Sequence, residues 1–121
     1  MGAAERTGFH RTHGGKMIIP KSFKIFGQTW AVIFDEDLGT KDDRQDGLCS
    51  YKNQTISLFP GVGKHRRSLA QNQQTYFHEI VHVALEAIGR DALNDDEGFV
   101  DTLASALHQI IITGEAEYGD N

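Results

Sequence analysis

The chain has 121 residues, and its 12 Lys and Arg against 17 Asp and Glu give a formal net charge of −5. This length suits one domain with a modest core and excludes a two-lobed secreted protease, while the acidic balance argues against nucleic-acid binding. A single cysteine, Cys49, rules out an internal disulfide, and no apolar stretch approaches the roughly 20 residues that span a bilayer. Because residues 1–16 also lack the apolar region of a signal peptide, we expect a cytoplasmic protein.

The first half of the chain predicts two β-hairpins after a flexible N-terminal tail, residues 1–16, which is rich in Gly, Arg and His without periodicity. The first hairpin joins Ile18 to Phe26 with Thr29 to Phe34 through a type II′ turn at Gly27-Gln28. A polar connection covers residues 35–46. The second hairpin joins Leu48 to Tyr51 with Thr55 to Phe59 through residues 52–54.

A first helix is predicted over about residues 69–88. Ser68 and Gln71 have the spacing of a capping box, and Gly89 fits the residue that stops a helix. Its apolar face is formed by Phe77, Ile80, Val81, Ala84, Leu85 and Ile88. The basic residues before it, Lys64 to Arg67, are interpreted as a solvated loop, although cations are mildly disfavoured at a helix N-terminus.

A second helix is predicted to begin near Glu97, with Asn94 or Asp95 as its N-cap. Its apolar stripe comprises Val100, Leu103, Leu107, Ile110 and Ile111. Residues 115–121 form a polar C-terminal tail. The sequence therefore predicts an α+β domain over residues 17–114, in which an antiparallel or mixed sheet of about four strands packs on two helices.

The first helix carries the motif His78-Glu79-Ile80-Val81-His82. At about 100° per residue, His82 lies roughly 40° around the helix from His78 and one turn along, so both imidazoles can reach one metal ion. Two neutral imidazoles that hold zinc, beside a carboxylate that takes a proton from water, form the arrangement of a zinc hydrolase, with Glu79 as the base. The alternative is a pair of surface histidines at helical spacing.

A zinc site needs a third protein ligand, and the lone Cys49 is far upstream, so an oxygen donor or another histidine must serve. Glu97 is a candidate in the first turn of the second helix. Asp101 follows on the same side of that helix, where it could accept the free ring N–H of a ligating histidine. The alternative is that Asp95, Asp96 and Glu97 only complement the helix dipole, with Asn94 or Asp95 as N-cap, and both interpretations can hold together.

The pattern of His78, Glu79, His82, Glu97 and Asp101 resembles the H-E-x-x-H and E-x-x-x-D motifs of gluzincins, the thermolysin-like metallopeptidases. In size the chain is similar to the minimal zincin domains encoded by phages and prophages and, more distantly, to ImmA/IrrE-type domains. The resemblance implies zinc held by His78, His82 and Glu97, Glu79 as catalytic base, and Asp101 as the partner of a histidine ligand. It also implies a protein or peptide substrate, and for a phage protein the cytoplasm of the host cell.

Two functional hypotheses follow. In the first, the chain is a zinc-dependent peptidase in which Glu79 activates water and later returns the proton to the leaving amine. The second is a catalytically silent zincin scaffold that binds a protein partner. For the enzyme, Thr55 to Phe59 is a candidate sheet edge for an extended substrate, the alternative being a strand covered on both edges. Candidates on chemistry alone for the group that stabilises the oxyanion are Tyr51, His65, Tyr76, His108 and Tyr118.

Overall fold

The structure is a computed structural model that describes residues 10, 11, 17–39 and 44–115. The strands are β1 (His10–Arg11), β2 (Met17–Ile18), β3 (Ser22–Ile25), β4 (Gln28–Phe34), β5 (Gly47–Ser50), β6 (Thr55–Leu58), β7 (Gly61–Val62) and β8 (His65–Arg66). The helices are α1 (Leu69–Ala87), α2 (Asp91–Asn94) and α3 (Glu97–Thr113), and a 3-10 helix covers Glu36–Gly39. This mixed sheet with helices confirms the predicted α+β class. Within this part of the chain, no helix is long and apolar enough to cross a membrane.

The four main strands lie in the order β3-β4-β6-β5. Strands β3 and β4 form the first predicted hairpin, with Ile25 opposite Gln28. The turn therefore consists of Phe26 and Gly27, whose φ angles are 48° and 82°. Two positive φ angles are typical of a type I′ turn, which matches the twist of the strands. The predicted type II′ turn at Gly27-Gln28 is thus wrong by one residue, because Gln28 already pairs in the sheet.

Strand β6 lies inside the sheet, parallel to β4 on one side and antiparallel to β5 on the other. The second predicted hairpin, β5 with β6, is therefore confirmed. The proposed substrate edge at Thr55 to Phe59 is wrong, because both sides of β6 already pair with neighbouring strands. Within the part of the chain that the structure describes, the free edges of the four-stranded sheet belong to β3 and β5.

One face of the sheet packs against the helices. Side chains alternate along a strand, and in β6 the inward residues Ile56 and Leu58 are both 0% exposed. From β4, Trp30 and Val32 point into the same core. Facing them are helical side chains of the core cluster: Tyr76, Phe77, Val81, Val83 and Leu85 of α1, and Val100 and Ala104 of α3. Burial of each large apolar side chain contributes roughly 1.5–3 kcal/mol, which fixes α1 and α3 against the sheet and against each other.

The predicted start of α1 is confirmed in detail. Ser68 accepts a hydrogen bond from the Gln71 backbone, and the Gln71 side chain accepts one from the Ser68 backbone. The helix ends at Ala87, and Gly89 follows with a φ of 74°.

The start of the second long helix differs from the prediction. Asp96 is the N-cap of α3, and its side chain accepts a hydrogen bond from Phe99 N at 3.0 Å. Asn94 and Asp95 cannot fill that role because Asn94 belongs to the unpredicted short helix α2 and Asp95 is its C-cap.

The predicted tails lie almost wholly outside the described residues. Of residues 1–16, only His10 and Arg11 are described, and they pair with Met17 and Ile18 in a short antiparallel ladder. Of the predicted C-terminal tail, the structure describes only residue 115.

Candidate metal centre

Helix α1 carries His78 and His82 on the side that faces the start of α3. Their ring centroids are 5.0 Å apart, with an interplanar angle of 66°. The side chain of His78 is 25% exposed and that of His82 is 14% exposed, so both rings are largely buried but still reach the surface. The four-residue spacing thus brings both imidazoles to one place, as the sequence predicted.

Glu97, the first residue of α3, points its carboxylate at both rings. Its Oε1 lies 3.1 Å from His78 Nε2, and its Oε2 lies 3.2 Å from His82 Nε2. Asp96 fixes the start of α3 as its N-cap, and this places Glu97 opposite the middle of α1. The capping interpretation and the ligand interpretation therefore apply to different residues, Asp96 and Glu97.

These three side chains fit a zinc ion. One donor atom from each of His78, His82 and Glu97 lies within 4.8 Å of the other two. In a tetrahedron with zinc–ligand distances of about 2.0–2.1 Å, neighbouring donors are roughly 3.3 Å apart, close to the measured separations. Among the described residues the cluster has three members, and a set of two imidazoles and one carboxylate leaves a coordination position for water or substrate.

Glu79 lies beside this cluster and lines the same cleft as the two histidines, but it is only 7% exposed. Burial raises the pKa of its carboxyl above the ordinary value; His78 and His82 lower the pKa, and Glu97 raises it. A carboxylate with a raised pKa is a better base at neutral pH than a solvated one. The structure therefore gives Glu79 the environment expected of a group that takes up and releases a proton.

A second set of contacts orients the two imidazoles. Asp101 Oδ1 lies 3.4 Å from His78 Nδ1, so the two side chains that the sequence paired are close together. The partner of His82 was not predicted: Asn94 Oδ1 lies 2.6 Å from His82 Nδ1. The sequence signal for Asn94 was ambiguous, because an asparagine shortly before a helix is typical of an N-cap.

The rings lie at the edge of a cleft of about 620 Å³. One wall is the chain entering β5, through Asp46 and Gly47, and the opposite wall comes from α1 and from Glu97 and Asp101 of α3. The volume is within the usual range for small-ligand and peptide sites.

Arg67 also lines this cleft, although it was predicted to lie in a solvated loop. Its side chain is 13% exposed and bonds to Asn72 Oδ1, the Gln71 carbonyl and Thr75 Oγ1. Its Nη1 lies 3.4 Å from Asp46 Oδ1. The guanidinium thus joins the start of α1 to the chain that leads into β5.

Of the candidates for an oxyanion group among the described residues, only Tyr51 bonds to a candidate metal ligand. Its hydroxyl lies 3.4 Å from the His82 carbonyl. Tyr76 is 1% exposed in the core, and His108 stacks on Phe77 with its ring nitrogens near two glutamine side chains. His65 lies in β8, and Tyr118 is outside the described residues.

Comparison of the chain with protein-family models, with curated proteins and with solved structures finds no match in any of the three. The resemblance to gluzincins therefore stays a prediction that rests on the five motif residues.

Proposed function

We propose that this protein is a zinc-dependent peptidase. The observation that carries the proposal is the convergence of His78 Nε2, His82 Nε2 and both carboxylate oxygens of Glu97, with the buried Glu79 beside them. A purely structural zinc site would normally be closed by a fourth protein ligand, and it would need no adjacent base.

Each residue has a distinct part in this proposal. His78, His82 and Glu97 hold zinc, which when bound polarises a carbonyl group and lowers the pKa of water to about 7. Glu79 accepts a proton from the attacking water and passes it to the nitrogen of the leaving amine. Its burial suits this role, because a raised pKa makes the carboxylate a better base than a solvated one.

The free edge of β5 supports an extended peptide as substrate. Phe59 N donates to the Asp46 carbonyl, so in this antiparallel pair the backbone of Leu48 also points toward β6. The intervening residues Gly47 and Cys49 then direct their N–H and C=O groups to the free edge. A peptide that pairs with this edge would run along the wall of the cleft that ends at the metal site.

The test begins with the metal content of the purified protein and its cleavage of a broad peptide library. We expect about one zinc per chain and a cleavage that stops when a chelator removes the metal. Glu79→Gln should keep the zinc and lose the cleavage, because the amide cannot accept the proton. Glu86→Gln is the matched control, since Glu86 is an exposed carboxylate on the same helix and should leave both unchanged.

A zinc-loaded protein that cleaves nothing in the library, with or without Glu79, would contradict the peptidase proposal. That result would favour the scaffold that only binds a partner. A protein that binds no zinc at all would contradict both the peptidase proposal and the proposed zinc site.

A further inference from the structure

The nitrogen of His82 that faces away from the candidate metal position makes the shortest side-chain contact of the site. Asn94 Oδ1 lies 2.6 Å from His82 Nδ1, whereas the corresponding contact of His78 with Asp101 measures 3.4 Å. We propose that Asn94, held in place by Tyr51, is the positioning residue that fixes His82 for metal binding. The inference rests on the proposed zinc site and assigns two residues that the sequence motif does not contain.

The chemistry of the imidazole requires a particular partner at this position. To give its Nε2 lone pair to a metal, His82 must carry its proton on Nδ1. That N–H needs an acceptor, and the amide oxygen of Asn94 supplies one. If the amide were turned over, its NH₂ group would face the ring N–H, and two donors would meet.

Tyr51 fixes which way the Asn94 amide points. The Asn94 Nδ2 donates to the Tyr51 hydroxyl at 3.1 Å, and that hydroxyl donates to the His82 carbonyl at 3.4 Å. With its own proton directed at the carbonyl, the hydroxyl accepts from Asn94. The three hydrogen bonds therefore form a closed ring that starts and ends at His82, and every donor in the ring has an acceptor.

The ring contacts the core through Tyr51, which is itself 38% exposed. Tyr51, directly after β5, packs edge-on against Trp30, with ring centroids 6.2 Å apart and an interplanar angle of 79°. Trp30 is 3% exposed and also stacks on Phe23. A rigid anchor restricts the rotamers of Asn94 and, through it, those of His82. By contrast α2, which carries Asn94, contributes no buried residue of its own.

The test compares two substitutions of Asn94 by zinc affinity, measured with a competing chelator. Asn94→Leu keeps the size and removes the acceptor, and we expect zinc to bind about 10–100-fold more weakly. Asn94→Asp restores an acceptor and should bring the affinity back to the wild-type value. Ala92→Leu places the same aliphatic side chain at an exposed position of the same helix and should change nothing.

Two further readouts separate positioning from a general effect on folding. The thermal midpoint of the metal-free protein should be similar for Asn94→Leu and Ala92→Leu. In the zinc-loaded wild type, NMR should show a His82 Nδ1–H proton that exchanges slowly with solvent, and Asn94→Leu should lose it. Tyr51→Phe removes the anchor but not the acceptor, so it should weaken zinc binding less than Asn94→Leu, and it replaces that variant if Asn94→Leu does not fold.

Zinc affinity that is the same in wild type, Asn94→Leu and Tyr51→Phe would overturn this inference and leave the proposed metal site intact. Asn94→Asp binding as weakly as Asn94→Leu would also overturn it. A wild-type protein without zinc affinity would overturn both the inference and the proposed function.

Discussion

Gly47 and Glu79 approach each other so closely that the glycine has no room for a side chain. A Cβ built on Gly47 would lie 3.0 Å from Glu79 Oε2 and 2.6 Å from Thr75 Cγ2. The backbone of an edge strand thus packs directly on the candidate base.

We expect Gly47→Ala to displace Glu79 or the start of β5. Overpacking of this kind costs about 1–3 kcal/mol of unfolding free energy. If the chain is a peptidase, turnover should fall about 10–100-fold, because a small displacement of a catalytic group strongly slows the reaction. Zinc affinity should not change. Urea unfolding, zinc titration and peptide cleavage measure the three effects.

Thr75→Ser tests the contact between position 47 and Thr75. Serine keeps the hydroxyl that bonds to Arg67 and removes the methyl group that would clash with a Cβ at position 47. Combined with Gly47→Ala, it should restore part of the lost stability. A Gly47→Ala protein with wild-type stability and turnover would contradict this prediction, because the start of β5 and helix α1 would then have separated without cost.

Glu79→Gln should stabilise the metal-free protein in a pH-dependent way. Burial raises the folded-state pKa of Glu79 above its unfolded value of about 4.3, so the wild type loses stability as pH rises through the folded pKa. Glutamine does not titrate. The advantage of the variant in unfolding free energy should therefore be smallest near pH 4 and largest near pH 8, as measured by urea unfolding with a chelator present.

Glu86→Gln is the comparison for this pH series, because Glu86 is exposed on the same helix. A difference for Glu79→Gln that does not change between pH 4 and pH 8 would contradict the assigned burial effect.

Asp101→Ala should weaken zinc binding with little effect on the metal-free fold. The carboxylate is 68% exposed and lies 3.4 Å from His78 Nδ1, so it is placed to orient a proposed ligand without supporting the core. Loss of such a partner typically lowers metal affinity about 10–100-fold. Thr102→Ala, at the next and also exposed position of α3, is the control for zinc titration. Equal affinities for the two variants would exclude a role for Asp101.

Arg67→Met should destabilise the protein far more than Arg66→Met. Arg67 is 13% exposed and bonds to three groups of α1, of which Asn72 is buried, so its loss should cost about 1–3 kcal/mol. Arg66, at 56% exposure, forms a surface pair with Glu36 that is worth less than about 1 kcal/mol. Urea unfolding of both variants checks the order, and similar losses would contradict it.

Signals within one turn of helix were sufficient to predict α1 and its two histidines. The capping box of Ser68 and Gln71 and the spacing of His78 and His82 depend only on local geometry, so the sequence contains them in full. To place Glu97 near the histidines, the sequence also had to predict that α1 packs against α3. The apolar stripes of both helices allowed that prediction.

What the sequence did not predict depends on contacts between distant segments. The parallel pairing of β4 with β6 is set by the whole sheet, so local patterns could not tell an inner strand from an edge. Asn94 contacts His82 and Tyr51 across turns that no periodicity encodes. Phe26 adopts a positive φ that phenylalanine rarely takes, which is why the turn was placed one residue too late.

The link between the two long helices, residues 88–96, contains α2, which has no buried residue. An ion shared by His82 before this link and Glu97 after it would act as a cross-link, closing a loop of the chain and reducing the freedom of the unfolded ensemble. Amide protons of residues 90–96 should then exchange with deuterium at rates set by the free zinc concentration. Local opening of this segment would thus be under the control of the metal supply in the surrounding medium.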